Sequence, residues 1–246
     1  MVSLQNGLEE YKIEKLVGEA RTIGAFLTFG GYYISPGEVM YGGPGSFKIG
    51  ELDGRDTPRL AALREAFSAQ QLVETTDNIF GYLWAKLALG AVYFATALVS
   101  ADVLEIYSEP DYRVMLGGLA GEVVRVAEAG AIRVESCDGF DPKAFRLDAP
   151  GAAADVTASW DSQLRYWARY KGARTGVWRD LAVHKRPTEV NEQINSVVEI
   201  AETRGVAVPR LQALVRLVRE AEAGQPLGWH NLDELVALDH KHRQSA

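Results

Sequence analysis

The side chains with chemistry to offer are few and lie far apart along the chain. Lys86 sits in Trp84-Ala85-Lys86-Leu87, Asn6 precedes Gly7 just after Val2-Ser3-Leu4, and Glu189 follows Thr188 in Arg186-Pro187-Thr188-Glu189-Val190. An ammonium group can donate a proton and stabilise a developing oxyanion, while carboxyl and carboxamide groups hold polar ligands through hydrogen bonds. Each stretch also has an ordinary reading. A lysine beside apolar residues commonly snorkels to the surface, Asn-Gly commonly turns the chain, and Thr-Glu commonly opens a helix as cap and dipole partner. Arg174, Arg179, His184, Lys185 and Arg186 form a small basic cluster, readable as solvated charge or as an attractor of a carboxylate or phosphate. His230, His240 and His242 are scattered near the C-terminus, Cys137 has no partner, and no Cys/His spacing suits zinc, so no metal is expected.

The elements that must position these groups change character along the chain. Short strands are expected at Val2-Ser3-Leu4, Thr22 to Phe29, Val39-Met40-Tyr41, Phe47-Lys48-Ile49 and Gln71 to Thr75, with turns at Ser35-Pro36-Gly37 and Gly42-Gly43-Pro44-Gly45. Leu8 to Val17 has helical spacing and Gly18 as a stop, and Thr57-Pro58 opens a helix to about Phe67. From Asn78 the period is helical. Helices are expected over Asn78 to Ser100, Tyr112 to Ala129, Ser159 to Tyr170, Thr188 to Arg204 and Pro209 to about Gly224, with Asn231 capping a last one. Cys137 to Val156, with its prolines and glycines, reads as a long connection, and Trp160, Tyr166, Trp167 and Tyr170 read as core or subunit contact.

Composition narrows the function. The 246 residues carry 26 Lys+Arg against 33 Asp+Glu, and this net acidity argues against nucleic-acid or anionic-membrane partners. Leu87 to Val99 is short for a bilayer span and reads as a buried core helix. One cysteine and no recognisable signal segment predict a cytoplasmic setting.

Taken together and in order, the Asn-Gly turn after a strand, W-x-K-L, and R-x-T-E-V resemble the ketopantoate reductase (2-dehydropantoate 2-reductase) family. Pro36-Gly37 followed by Ile49-Gly50-Glu51 resembles that family's P-G-x-V … I-G-E hairpin, and Gly205-Val206-Ala207-Val208-Pro209 resembles a helix start of the same family. The resemblance implies an α/β remnant of a Rossmann-like NADPH-binding domain over 1–77, then an all-α substrate and dimerisation domain over 78–246, of the 6-phosphogluconate dehydrogenase C-terminal type. It implies hydride transfer from NADPH to a small 2-keto acid, as in making pantoate for pantothenate biosynthesis. Lys86 would be the general acid, Glu189 would bind substrate and join the catalytic network, and Asn6 would lie near the nicotinamide. The family's serine before R-x-T-E falls at Thr175 or at Gly176; Thr175 would offer a hydroxyl to the substrate, and Gly176 would not. A lysine titrates near 10.4 when unperturbed, so apolar walls would bring it toward a useful range.

The departures are as specific as the matches. Gly90 and Phe94 stand where the family carries two substrate-binding asparagines, which predicts a drier pocket and a different or bulkier keto acid. The segment Asp180 to Glu189 is one residue longer than the usual pattern. No G-x-G-x-x-G turn opens the chain, so it reads as the C-terminal portion of something longer, binding NADPH poorly by itself. Two alternatives stay open: a non-catalytic helical binding or dimerisation module, and a related hydroxyacid dehydrogenase. A homodimer through apolar helices such as 112–129 and 208–223 is not separable from core packing at this level.

Overall fold

Period-two alternation builds the first of two units. In the computed structural model, which describes residues 1–41, 45–69, 71–146, 152–169 and 172–244, this unit spans Met1–Leu83 and the second Trp84–Ala246. Its sheet has the order β1 (Val2–Ser3), β2 (Ile23–Leu27), β5 (Phe47–Glu51), β6 (Glu74–Thr75). β1 runs parallel to β2, β2 antiparallel to β5, and β5 parallel to β6. On one face Ile23, Ala25, Phe47 and Ile49 join Leu60 and Val73, with Leu63 and Phe67 of α2 (Pro58–Phe67) packed against them. The opposite face alternates with them and presents Gly24 and Gly50. A Cβ at Gly24 would stand 2.9 Å from Ile79, and one at Gly50 would stand 2.7 Å from the Thr76 carbonyl, so bare backbone lets the chain leading into the next helix lie close. Phe26 and Tyr82 meet on that face with ring centroids 5.4 Å apart.

Helix α1 (Glu10–Val17) follows β1 and ends at Gly18, as its spacing predicts. Thr57 precedes α2 with Pro58 in the first turn. The helix is tied to the sheet by Glu51, whose carboxylate accepts hydrogen bonds from Thr57 and Arg59. Those bonds, led by that from Arg59, hold the Glu51 carboxyl below its ordinary value against the opposing effect of burial.

One hairpin differs from expectation. β4 (Glu38–Tyr41) pairs with β3 (Gly31–Ser35), a strand the sequence reading passed over, in a separate two-stranded ribbon turned at Pro36-Gly37. Val39 and Ile49-Gly50-Glu51 are therefore not partners across one hairpin, because β5 is already paired with β2 and β6. Gly37 has a φ of 84°, the conformation this turn requires. Residues 42–44 of the expected glycine turn lie outside the described residues.

The second unit is all-α. Helix α3 (Ile79–Thr96) begins in the first unit, and the boundary between the two compact units falls inside it. It is the one described helix long and apolar enough to cross a bilayer, and 67% of it is buried within the protein. Helix α4 (Val103–Ser108) was not expected; its N-cap is Asp102, whose carboxylate accepts the Leu104 N–H. Pro110 in a first turn then opens α5 (Pro110–Ala129), buried from Met115 through Val124. Helix α6 (Ala152–Trp167) starts earlier than the aromatic spacing suggested, inside the stretch read as a connection, because alanines with high helix propensity extend it toward the N-terminus. Pro142–Phe145 forms a 3-10 turn within that same stretch. Trp160 and Trp167 are buried, Tyr166 is exposed, and Tyr170 lies outside the described residues.

Further α-helices among the described residues are α7 (Gly176–Arg179), α8 (Ser196–Arg204), α9 (Pro209–Glu222) and α10 (Trp229–Gln244). Gly205, at φ 66°, closes α8. Asn231 does not cap α10, which starts two residues before it. Its buried amide instead donates to the carbonyls of Leu98 and Pro226, at 3.0 and 3.1 Å. The apolar faces of α5 and α9 are filled within this chain: Leu119, Val123, Leu211, Leu214 and Val218 are fully buried.

Candidate functional site

Helix α3 is buried nearly all round, and its one relieved stripe is informative. Lys86, Leu89, Gly90 and Tyr93 are half-buried while Ala85, Leu87, Ala88, Ala91 and Val92 are buried. The spacing i, i+3, i+4, i+7 makes those four a single face. Trp84 fixes its rotation. The indole is fully buried under the Arg204 guanidinium, 5.5 Å from the ring centroid, and Arg204 donates to the Val126 carbonyl at 2.6 Å. In the W-x-K-L pattern the tryptophan thus anchors α3 while the lysine, two residues on, turns toward the relieved face. At the far end of that face Tyr93 meets Trp167 edge-on at 5.7 Å, and burial pushes its hydroxyl well above the ordinary phenol range.

Glu189 is set by its neighbours. Thr188 donates its N–H and its hydroxyl to one oxygen of Glu222 on α9, at 2.7 and 2.6 Å, and the same hydroxyl accepts the Val190 N–H at 3.2 Å. Arg219, also on α9, donates to Asn191 Oδ1 at 2.6 Å. Val190 is wholly buried, so the segment is pinned on both sides of Glu189, whose own side chain is exposed. Two π-turns flank it, Asp180–His184 and Asn191–Asn195. A π-turn accommodates one extra residue in a helix. The first of them lies within the Asp180 to Glu189 segment, and Lys185 leaves it in the left-handed region at φ 51°.

Lys86 and Glu189 are linked through the residues one turn beyond each. Gln193 donates from Nε2 to Glu189 Oε2 at 2.7 Å. A Cβ at Gly90 would stand 3.4 Å from Gln193 Oε1. The lysine face of α3 and the glutamate-bearing segment therefore meet at Gly90 and Gln193, with Lys86 about 6 Å along α3 from that contact.

Thr175 is buried and caps α7, its hydroxyl accepting the Trp178 N–H at 3.2 Å, so its oxygen is committed to the backbone while its proton can still be donated. Of the basic cluster, Arg174 lies 4.5 Å from the Trp178 ring centroid and donates to the Ser100 carbonyl, and Arg186 is paired with Asp180 at 2.8 Å. Cys137 is buried, and no three His, Cys, Asp or Glu side chains cluster as a metal site among the described residues. Asn6 belongs to the first unit, exposed just beyond β1, where Gly7 turns the chain at φ 85°.

A dinucleotide pyrophosphate needs a helix N-terminus reached through a bare glycine turn. Among the described residues the first unit offers none. α1 opens with Glu10, an acidic residue where a phosphate would want bare N–H groups, and the spaces beside Gly24, Gly45, Gly50 and Gly54 are filled by the chain itself.

The sequence alone singles out Lys86, Glu189, Thr175 and Asn6, but not Gln193, Glu222 or Arg219. The Glu-x-x-x-Gln spacing of Glu189 and Gln193 was the available signal for the first, whereas the two α9 residues act from a distant part of the chain.

Comparison with known proteins agrees with this architecture. A 2-dehydropantoate 2-reductase of Halobacterium salinarum is 29% identical over 226 residues, 90% of this chain and 67% of that protein. The crystal structure of 2-dehydropantoate 2-reductase from Geobacter metallireducens matches with a TM-score of 0.72 and 26% identity, over 89% of this chain and 67% of that one. A D-mandelate dehydrogenase in complex with NADH has the same fold, with a TM-score of 0.74 and 18% identity, over 90% of this chain and 70% of that one. The chain thus spans about two thirds of the length of the reductases it matches. The family model described as ketopantoate reductase PanE/ApbA C terminal matches residues 78–222, more than half of the sequence, and the chain belongs to that family.

Proposed function

We propose that this chain carries the substrate side of a 2-keto acid reduction, of the kind that turns 2-dehydropantoate into pantoate, with NADPH as hydride donor. The observation that supports it is the meeting of the Lys86 face of α3 with the Glu189 segment through Gly90 and Gln193. The Lys86 ammonium donates a hydrogen bond to the keto oxygen and a proton to the alkoxide that forms when hydride reaches the carbonyl carbon. Glu189 accepts a hydrogen bond from a hydroxyl group carried by the bound acid, and Thr175 offers the acid a hydroxyl proton. Fully buried Phe94 keeps that part of α3 dry, which favours a keto acid whose side chain is apolar apart from that hydroxyl. Since the described residues give no cradle for the dinucleotide phosphates, the roles assigned here concern only the acid. Asn6, in the first unit, belongs to the nicotinamide side of the reading.

The alternative reading is a helical module that binds a small acid without reducing it. The test is to titrate the protein with a panel of 2-keto acids by calorimetry and to follow NADPH oxidation in parallel. Saturable binding that Lys86→Ala weakens at least tenfold, with NADPH consumed, supports the reductase. Lys86-dependent binding that is as tight for acids lacking the 2-keto group supports the module. Binding and turnover indifferent to Lys86→Ala overturn the assignment.

A further inference from the structure

Three buried polar atoms of the second unit converge without bonding. On α6, Trp160, Gln163 and Trp167 follow one another at i, i+3 and i+7, so they share a face, and all three are buried. Tyr107 of α4 meets Trp160 edge-on at 5.1 Å, and Tyr93 of α3 meets Trp167 edge-on at 5.7 Å, which brings one phenol to each end of that face. The Trp167 indole N–H faces both hydroxyls. Yet Trp167 Nε1, Tyr107 Oη and Gln163 Oε1 are all shut off from solvent, and none of them closes a hydrogen bond with a protein group among the described residues.

Burial pushes both phenols above their ordinary value, so each hydroxyl keeps its proton and can donate as well as accept. Buried polar atoms left unmet are costly, and where several gather, a water commonly completes the network. Groups that lie close without bonding leave a separation that one water spans. We propose that Trp167, Tyr107 and Gln163 form a binding site for one internal water, which accepts from the Trp167 indole and the Tyr107 hydroxyl and donates to Gln163 Oε1. Three such bonds are what a buried water usually makes. The water ties α6 to α4 beside Tyr93, at the far end of the relieved face of α3. The site stands apart from the roles of Lys86 and Glu189 and does not depend on them.

Two measurements on the whole chain test it. The first is the sign of one stability change. Tyr107→Phe deletes the fully buried hydroxyl and keeps the ring against Trp160. A hydroxyl bonded through water stabilises the fold, whereas an unmet one only carries its desolvation cost, so its removal would then stabilise. The water site predicts that the melting temperature of Tyr107→Phe falls by about 2–4 °C. The second is a crystal structure of the wild-type chain at a resolution that shows ordered water. It should place one water within hydrogen-bond distance of Trp167 Nε1, Tyr107 Oη and Gln163 Oε1.

A melting temperature that rises or stays the same in Tyr107→Phe overturns the proposal, because the hydroxyl then had no partner worth losing. A fall in melting temperature with Trp167 bonded directly to Tyr107, and no water between them, overturns it as well. A fall together with a water on all three atoms supports it.

Discussion

Replacing Glu122 by alanine should loosen the helix that holds the Glu189 segment. Glu122 is wholly buried on α5, and its oxygens accept the backbone N–H groups of Arg210 and Leu211, at 3.2 and 2.9 Å, and the Arg210 guanidinium at 3.1 Å. Those N–H groups belong to the first turn of α9, which has no intrahelical acceptors for them and no capping side chain at Val208. Burial pushes the Glu122 carboxyl above its ordinary value, with the Leu211 and Arg210 N–H groups pulling the other way. Glu122→Ala takes the acceptor from both donors and deprives a mostly buried guanidinium of this partner, a loss of about 3–5 kcal/mol in the second unit. Glu122→Gln keeps an oxygen for the N–H groups and should cost less, about 1–2 kcal/mol. The pH dependence separates the two states further. A carboxyl with a raised folded pKa binds more protons when folded, so its contribution to stability falls as pH rises from the ordinary range near 4.5 through the folded value. In Glu122→Gln that decline should disappear. Urea unfolding followed by helical circular dichroism, repeated across pH, measures both effects. A Glu122→Ala protein within about 0.5 kcal/mol of wild type would refute the claim that this carboxylate holds α9.

Two further perturbations act at either end of the same logic. Glu222→Ala removes the acceptor of both Thr188 donors and should weaken keto-acid binding, while costing about 1–3 kcal/mol in urea melts; unchanged affinity would mean that Thr188 does not transmit position to Glu189. In the first unit, Glu51 has its folded pKa lowered by Arg59 and Thr57, so its contribution is present above the ordinary carboxyl range and is lost as pH falls through the lowered value. Glu51→Gln should therefore cost about 1–3 kcal/mol near neutral pH, with the gap to wild type closing in acid, as read by thermal melts at stepped pH.

What the sequence made legible follows from how local each signal was. Thr57-Pro58, Gly18, Gly205 and Pro209 mark helix ends through the backbone of one or two residues, and each marks an end in the structure. The β3–β4 ribbon was missed because its pairing partner is set by which strands are already taken in the other sheet, a non-local fact. Asn231 misled for a related reason: a residue type suited to capping spends its amide on carbonyls from residue 98 and from Pro226. Of the site, Lys86 and Glu189 stood out as chemistry-bearing types in an ordered set of motifs. Gly90 was legible only as a departure, and the Gln193 side chain that lies beside it comes from more than a hundred residues away. The anchoring of Thr188 by Glu222 leaves no local mark at all, since either residue alone is an ordinary polar position on a helical segment.

The central claim is that Lys86 and Glu189 act on one bound acid, and a double-mutant cycle tests it most directly. Calorimetric affinities for a 2-keto acid would be compared among wild type, Lys86→Ala, Glu189→Ala and the double variant. A shared ligand predicts that each single change weakens binding and that the double is much less damaging than their product, a coupling of about 1–3 kcal/mol. Single effects that multiply, leaving a coupling below about 0.5 kcal/mol, would contradict the account.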